Sequence, residues 1–214
     1  MSTMDLVKRK CALCGGESSQ MVLFSTNCFG SPDLDMRPAP MQRNTMDCWG
    51  EMCPHCGYVA HSISSAPTMP LDFFATEEYQ NTDGIRFSSS LAKKFYRHHL
   101  IFKAEGNLFS AYLHLLYAAW ACDDGFDYED WDNAKLCRLK MIALFDSLPE
   151  EKRNDINEQV RFADVLRRAG RFNKVIELYT KFNSDDKLLN KIIAFQLKLA
   201  REGDTSCYTV SAVK

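Results

Sequence analysis

The most regular pattern along the chain is a helical spacing of apolar and polar positions that runs from Ser88 to Gly203. Apolar residues that recur every three to four positions predict amphipathic helices with one buried face. The helix after Asn107 is apolar almost all round, so we expect it to be the central buried helix. We predict helices from Leu91 to about Ala104, from Asn107 to Cys122, from Asp127 or Asp130 to Phe145, after Pro149 to Ala169, from Phe172 to Phe182 and from Ser184 to Gly203.

Part of this helical region resembles a tetratricopeptide repeat. The segment RFADVLRRAGRFNKVIELYTKF, residues 161–182, has Ala163, Gly170, Phe172 and Tyr179 at the spacing of that motif. Val175 stands where the motif prefers alanine, which is a departure from the pattern. A plain helical bundle is the alternative interpretation, because only two repeat-like units are visible and solenoids need three or more.

The first 61 residues follow a different pattern, with little helical periodicity and four of the seven prolines. Two segments in this region, MVLFSTNCF (21–29) and NTMDCWGEMCP (44–54), are typical of strands. Residues 62–90 are rich in serine, proline and threonine at both ends and form a predicted linker. Within the linker, LDFFATEEYQ (71–80) could form a short helix, and residues 204–214 are predicted to be a flexible tail.

Composition and charge narrow the class of protein. Apolar residues make up 46% of the 214 residues and charged residues 25%, which is ordinary for a soluble globular protein. The net charge of -2 is spread evenly, so no segment offers the basic face that nucleic acid requires. The longest apolar run is shorter than the ~20 residues of a membrane helix, and the N-terminus lacks the apolar stretch of a signal peptide. We therefore expect a cytoplasmic protein with no membrane partner.

Two pairs of cysteines carry the strongest chemical signal. Cys11 and Cys14 lie in CALCGG, and Cys53 and Cys56 lie in CPHCGY, so both pairs have the form C-x-x-C-G. Two thiolates three residues apart can converge on one ion from a tight turn, and the glycine allows the positive φ that aims backbone N–H groups at the sulfurs. The four thiolates predict one tetrahedral Zn²⁺ per chain, and this zinc is structural because no coordination position stays open. Coincidence or a redox disulfide is the alternative.

Other potential ligands fit the spacing less well. Cys48 lies five residues before Cys53, which is too far for a knuckle, and His55 lies inside the second turn. Cys28 and His61 also lie nearby in the sequence. We expect each of these four side chains to be an ordinary buried or surface residue.

These patterns together predict an α+β fold that is mostly α. Residues 1–61 would form a small zinc-ribbon-like β module, and residues 91–203 an antiparallel, tetratricopeptide-like helical domain. If the metal supplies the folding energy of the first module alone, its loss should expose residues up to about 61 and leave the helices intact.

The segments CALCGG, GSPDLDMRP (30–38) and CPHCGYVA resemble an uncharacterised bacterial family known as domain of unknown function 2225. The resemblance covers roughly residues 5 to 200, and its cysteine positions match residue by residue. It implies zinc binding, a cytoplasmic bacterial protein and tetratricopeptide-like helices, and it implies no established activity.

The GSPDLDMRP segment is the main candidate site outside the cysteines. Asp33, Asp35 and Arg37 lie within five residues, in a loop that prolines stiffen. They could bind an anion or form a hydrogen-bonding pair for a ligand. The structural alternative, which we favour, is a turn in which Asp35 pairs with Arg37 or caps a backbone N–H.

Two further polar groups have mainly structural interpretations. His98 and His99 follow Lys94 and Arg97 on a predicted helix, where adjacent histidines face different directions, so we expect a solvated basic face. The acidic run at residues 123–130 does not have glycine and glutamate at the offsets of a calcium loop, and we expect a solvated loop between helices.

Three hypotheses for function follow from these features. The leading one is a non-enzymatic interaction or scaffold protein, in which a helical repeat surface binds a protein partner whose identity the sequence does not reveal. The second is an enzyme with its site at Asp33, Asp35 and Arg37. The third is a nucleic-acid-binding zinc ribbon that uses the basic residues Lys8, Arg9, Lys10 and Arg43.

Overall fold

The computed structural model describes residues 2–213 as an α+β fold that is mostly helical. The strands are β1 (Thr3–Lys10), β2 (Glu17–Ser25), β3 (Glu51–Met52) and β4 (Val59–Ala60). The helices are α1 (Glu77–Gln80), α2 (Ser90–Ala104), α3 (Leu108–Asp123), α4 (Tyr128–Phe145), α5 (Glu150–Arg153), α6 (Ile156–Arg168), α7 (Phe172–Tyr179) and α8 (Lys187–Glu202). Short 3-10 helices cover Gln42–Cys48, Leu71–Ala75 and Val210–Ala212.

The ends of the long helices follow from local side-chain chemistry. Ser89, Asn107 and Asp127 cap α2, α3 and α4, each accepting the backbone N–H of the residue three positions later. Gly170 and Gly203 follow α6 and α8 with φ of 74° and 70°, a conformation that glycine adopts without steric cost. The predicted helices are present with boundaries shifted by a few residues, except that the helix predicted after Pro149 is divided into α5 and α6, with Asp155 as the N-cap of α6.

Helix α3 is the central helix, as its apolar sequence predicts. It packs against α2 on one side and α4 on the other. Helix α6 contacts α4, α7 and α8, which extends the same apolar core. The buried side chains of α3 are Ala111, Tyr112, Leu115, Leu116, Ala118, Ala119, Trp120, Ala121 and Cys122.

The β structure consists of two small antiparallel hairpins. In the first, β1 pairs with β2 so that Leu6 lies opposite Met21 and Lys10 opposite Glu17. The second hairpin pairs only two residues of β3 with two of β4. The predicted strand at 21–29 overlaps β2, although β2 begins earlier and ends at Ser25.

The predicted strand at 44–54 is wrong over most of its length. Residues Gln42–Cys48 form a 3-10 helix, and only Glu51–Met52 pair as a strand. The Thr45 hydroxyl donates to the carbonyl of Gln42 at 2.8 Å and accepts from Nε1 of Trp49 at 3.1 Å. These local bonds satisfy polar groups within a turn, which competes with an extended strand.

The segment between the two cysteine pairs packs into the core of the helices. Leu34 and Ala39 are 2% and 0% exposed. Cys11, Cys53, Tyr58, Val59 and Ile63 belong to the same continuous apolar cluster as α2, α3, α4 and α6. The segment with the two cysteine pairs and the helices therefore share one apolar core.

The predicted linker and tail are also anchored. The linker contains the expected short helix, α1, and its Tyr79 is fully buried, with the hydroxyl donating to the carbonyl of Gly57 at 2.9 Å. At the other end of the chain, the Leu34 N–H donates to the carbonyl of Tyr208 at 2.9 Å, and the Val210 N–H donates to that of Pro32 at 2.8 Å. Residues 204–213 thus differ from the predicted flexible tail, because their backbone pairs with the 30–38 loop.

Candidate metal centre and the buried charged cluster

Each cysteine pair lies in the turn of one hairpin. The turn with Cys11 and Cys14 connects β1 to β2, and the turn with Cys53 and Cys56 connects β3 to β4. In both turns a glycine N–H donates to the carbonyl of the first cysteine, at 2.8 Å in the first turn and 2.9 Å in the second. The two knuckles therefore have the same local geometry, as their shared C-x-x-C-G pattern predicts.

Gly57 shows why the second knuckle requires glycine. Its φ is 74°, in the left-handed region. A Cβ at this position would overlap the guanidinium of Arg97, whose Nη1 donates to the Gly57 carbonyl at 3.3 Å. The close approach of Arg97 ties the knuckle to helix α2.

The four sulfur atoms converge to form a candidate metal site. All four Sγ atoms lie within 4.8 Å of one another. Cys11 Sγ lies 3.7 Å from Cys56 Sγ, and Cys14 Sγ lies 3.7 Å from Cys53 Sγ. Two sulfurs bound at ~2.3 Å to one tetrahedral zinc stand about 3.8 Å apart. The spacing thus fits a metal centre and is much longer than the ~2.05 Å of a disulfide.

The thiols differ in how easily they ionise before a metal binds. Burial raises the pKa of Cys56 and of Cys11. Burial also acts on Cys53, but hydrogen bonds from the backbone N–H groups of Cys56 and His55 outweigh it and lower the pKa of Cys53 to about 7. Since the thiolate is the form that binds metal, Cys53 is the first of these three to become a ligand near neutral pH.

The rival ligands have other partners. His55 Nε2 lies 3.1 Å from the carbonyl of Glu17, and Cys48 Sγ lies 3.5 Å from the sulfur of Met4. Cys28 Sγ donates to the carbonyl of Ala39 at 3.5 Å. Neither these residues nor His61 belongs to the sulfur cluster that the described residues form.

The 30–38 loop forms a buried turn. The Met36 N–H donates to the carbonyl of Asp33 at 2.9 Å, and the Arg37 N–H donates to Oδ1 of Asp35 at 3.2 Å. Asp35 thus caps a backbone N–H, as the structural interpretation of this loop predicts. Its second oxygen accepts from Nε1 of Trp120 at 2.7 Å, which connects the loop to helix α3.

Arg37 has a different partner from the one that the sequence suggested. Its side chain is buried and pairs with Asp124, with Nη1 2.9 Å from Oδ1, rather than with Asp35. Asp35 lies instead beside Arg168, with Nη1 at 3.3 Å, and beside Arg138 at 3.9 Å. Asp33 and Asp35 are 2% and 1% exposed, so all three residues of the proposed site take part in the packing of the core.

The acidic run at 123–130 is only partly solvated. Asp123, the last residue of α3, accepts from Nη1 of Arg138 at 3.0 Å and pairs with Nη2 of Arg168 at 3.0 Å. Burial alone would raise the pKa of Asp123, but the two arginines outweigh burial and lower it. Asp130 is also buried, at 3% exposure, whereas Phe126 is fully exposed at the tip of the loop.

The prediction of a solvated basic face around His98 and His99 is wrong. His98 and His99 are 8% and 5% exposed, because α2 is covered by the β3–β4 hairpin on one side and by α3 on another. His98 stacks on Phe102 with ring centroids 4.5 Å apart, and His99 Nδ1 lies 2.9 Å from the carbonyl of Ala111. Burial lowers the pKa of His98 to about 3 and that of His99 to about 4.

The sequence interpretation did not identify Arg138 and Arg168 as partners of the 30–38 loop. Each lies in a short segment with a second cationic residue, CRLK (137–140) and RRAG (167–170), so neither stands out as a lone charge in an apolar stretch. A charged residue on a buried helix face requires a partner, but the sequence does not reveal which residue supplies it.

Comparisons with known proteins found no match, so the evidence for function comes from the geometry of the chain itself. No family model matches the chain, and neither a curated protein nor a solved structure matches it. Among the helices of residues 2–213, none has both the length and the apolar character that crossing a membrane requires.

Proposed function

We propose that this chain is a zinc-binding, non-enzymatic scaffold protein whose single Zn²⁺ is structural. The observation that carries the proposal is the convergence of Cys11, Cys14, Cys53 and Cys56 with a sulfur spacing that suits a tetrahedral ion. Four thiolates complete the coordination of zinc and leave no position for substrate. The resemblance to domain of unknown function 2225, and with it a cytoplasmic bacterial origin, is part of this proposal.

Metal analysis tests the first half of the proposal. Protein purified under reducing conditions should contain about one zinc per chain, and a fourfold cysteine variant should contain none. Elemental analysis separates zinc from iron and other thiophilic metals. Freshly reduced protein without any such metal would disprove the metal site.

The metal also positions a candidate interaction surface. The first knuckle closes the β1–β2 hairpin, whose apolar side chains Met4, Leu6, Met21 and Phe24 are 40–64% exposed. Within residues 2–213, β1 forms a sheet only with β2. The other edge of β1 therefore has no neighbouring strand along its eight residues. A long exposed edge with apolar neighbours is a template for an added strand. We propose that an extended segment of a protein partner docks there.

Matched surface variants test this docking surface. Leu6→Lys places a charge at the edge without changing the metal ligands, and Leu188→Lys makes the same change at an exposed position on α8. We expect Leu6→Lys to abolish capture of a partner that the unmodified chain and Leu188→Lys both retain, at equal zinc content. Equal capture by all three proteins would place the partner elsewhere.

A groove at the helices is the second candidate surface. Its volume is about 450 Å³, and its wall includes Met36, Pro38, Trp49, Leu113 and Tyr117. Helix α3 supplies Leu113 and Tyr117 to this groove, and the partly exposed aromatic rings suit an apolar side chain of a partner. Loss of capture by Leu113→Lys but not by Leu6→Lys would favour the groove over the hairpin.

The two alternative functions have weaker support. Asp35 and Arg37 are engaged in buried contacts that hold the loop to the helices. Among the basic residues that would serve nucleic acid, Arg9 pairs with Glu51 at 2.9 Å and Arg43 with Asp33 at 2.7 Å. These pairs reduce the positive charge available to phosphates.

A further inference from the structure

A cavity of about 680 Å³ lies beside the 30–38 loop, between the C-terminal ends of α3 and α6, residues 131–138 of α4 and the C-terminal segment. Its wall draws on five separate parts of the chain, and its cationic side chains outnumber its acidic ones. The cationic residues are Arg37, Arg43, Lys135, Arg138 and Arg168.

Negative groups neutralise most of this charge. Asp33, Asp123 and Asp124 line the same cavity, and Asp35 lies next to them in contact with the arginines. Five cationic groups therefore face four carboxylates, which leaves one excess positive charge. An excess positive charge at a concave site favours the binding of an anion.

The cationic residue without a carboxylate partner is Lys135. Its side chain is exposed and lines the cavity. No carboxylate of residues 2–213 lies within ion-pair distance of its ammonium group. Lys135 can therefore contact an anion without breaking an existing ion pair.

Several buried polar atoms of the cavity residues also lack partners. The Nε–H groups of Arg37, Arg138 and Arg168 make no hydrogen bond within the described part of the chain, and neither does Oδ2 of Asp33. Buried donors and acceptors in folded proteins are nearly always satisfied, and an unpaired group costs free energy. These four atoms have almost no accessible surface, so a ligand satisfies them only when the side chains turn toward the cavity that they line. A matching ligand would then offer several acceptor oxygens to the guanidinium groups and one hydroxyl donor to Asp33.

We propose that this cavity binds an oxyanion of the hydrogen-phosphate type. Hydrogen phosphate combines acceptor oxygens with a P–OH group, so it can accept from Arg37, Arg138 and Arg168 and donate to the Asp33 carboxylate. Sulfate has similar size and charge but no hydroxyl near neutral pH, so the carboxylate repels it. The same contacts would hold the monoanion of a phosphomonoester. This site is separate from the sulfur cluster and does not depend on the proposed structural zinc.

Titration calorimetry with inorganic phosphate and with sulfate, at pH 7 and equal ionic strength, tests the proposal on the intact chain. We expect saturable binding of phosphate and at least about tenfold weaker binding of sulfate, because only phosphate can donate to Asp33. Lys135→Glu should weaken phosphate binding by about tenfold or more. The matched control is Lys191→Glu, which makes the same charge change at an exposed position on α8 that does not line the cavity.

A second variant examines the hydroxyl contact. Asp33→Asn removes the negative charge with little change in shape, so sulfate should then bind about as tightly as phosphate. The source of the phosphate group is tested with glycerol phosphate at pH 6, where about half of the ester keeps its proton. Its affinity is compared with that of inorganic phosphate at the same pH. Tighter binding of either ligand supports the site, because both can donate a hydroxyl to Asp33.

Three results would overturn the proposal. These are no saturable phosphate binding, equal affinity of the unmodified chain for sulfate and phosphate, or equal loss of affinity in Lys135→Glu and Lys191→Glu. Zinc content is measured on the same samples. A sample that contains zinc but does not bind phosphate contradicts the anion site alone, and a sample without zinc contradicts the metal site.

Discussion

The sulfur cluster and the arginine–aspartate cluster are the two concentrations of polar chemistry in this chain, and they are assembled in opposite ways. Each half of the sulfur cluster is a turn of a few residues, and the turn itself presents both thiols of its pair. The charged cluster consists of one residue from each of four segments, and each of its ion pairs joins two different segments. These residues are Asp35 of the 30–38 loop, Asp123 of α3, Arg138 of α4 and Arg168 of α6.

This difference determines how each cluster responds to the loss of one side chain. Metal ligands act as a set, so the loss of one thiolate removes the binding energy of the ion. Charges in the second cluster neutralise one another pairwise, so the loss of one arginine leaves a buried carboxylate without its partner. Both clusters nevertheless contact the same apolar core. Substitutions in either cluster should therefore change the stability of the whole chain, and the sizes of these changes can be compared.

The largest expected effect is that of Cys53→Ser. We expect loss of the metal together with cooperative loss of the helical circular dichroism signal, because Tyr58, Val59 and Ile63 beside the second knuckle are buried in the core of the helices. The binding term for structural zinc is ~10–16 kcal/mol in zinc-finger peptides near neutral pH. Thermal unfolding monitored at 222 nm measures the effect.

His55→Ala is the control for this experiment, because His55 lies in the same knuckle outside the sulfur cluster and should leave the zinc content unchanged. Proteolysis of residues up to about 61 in Cys53→Ser, with the helical signal intact, would contradict a shared core and restore the separable module that the sequence suggested.

A smaller effect is expected for Arg138→Met, which should lower the free energy of unfolding by about 3–5 kcal/mol, the usual cost of leaving a buried ion without its partner. Arg138 is 2% exposed and contacts both Asp123 and Asp35. Lys140→Met on the same helix is the control, since Lys140 pairs with Asp83 at the surface and should cost only ~0–1 kcal/mol. Chemical denaturation of both variants measures the difference. Equal losses would show that the charged cluster contributes no more than a surface pair.

The smallest effect concerns acid stability. Burial lowers the pKa of His98 to about 3 and those of His99 and His114 to about 4, whereas an unfolded histidine titrates near 6.5. Below pH ~6.5 the unfolded chain binds protons that the folded chain does not, so stability that is present above ~6.5 falls as the pH approaches ~4.

His98→Phe should reduce that loss, by at most about 1.4 kcal/mol per pH unit for one histidine. Denaturation of this variant and of the unmodified chain between pH 7 and 4.5 measures the difference, and the contribution of the metal ligands is common to both proteins. Parallel pH profiles would show that His98 is not held neutral in the folded chain.

Local sequence was sufficient to predict most helices and one of the two clusters. Ser89, Asn107 and Asp127 cap helices with their own side chains, and the C-x-x-C-G motif orients its thiols within a single turn. The relevant interactions join residues only a few positions apart, so the composition of one segment determines them.

The partners of the buried charges were decided only by the tertiary structure. Asp35 meets Trp120 across 85 positions and Arg168 across 133 positions of the sequence. Likewise, the environment of His98 depends on the helix and hairpin that cover α2. A local pattern shows that a segment carries a charge, but the cost of burying that charge is offset by whichever opposite charge the packing of distant segments brings within a few ångströms.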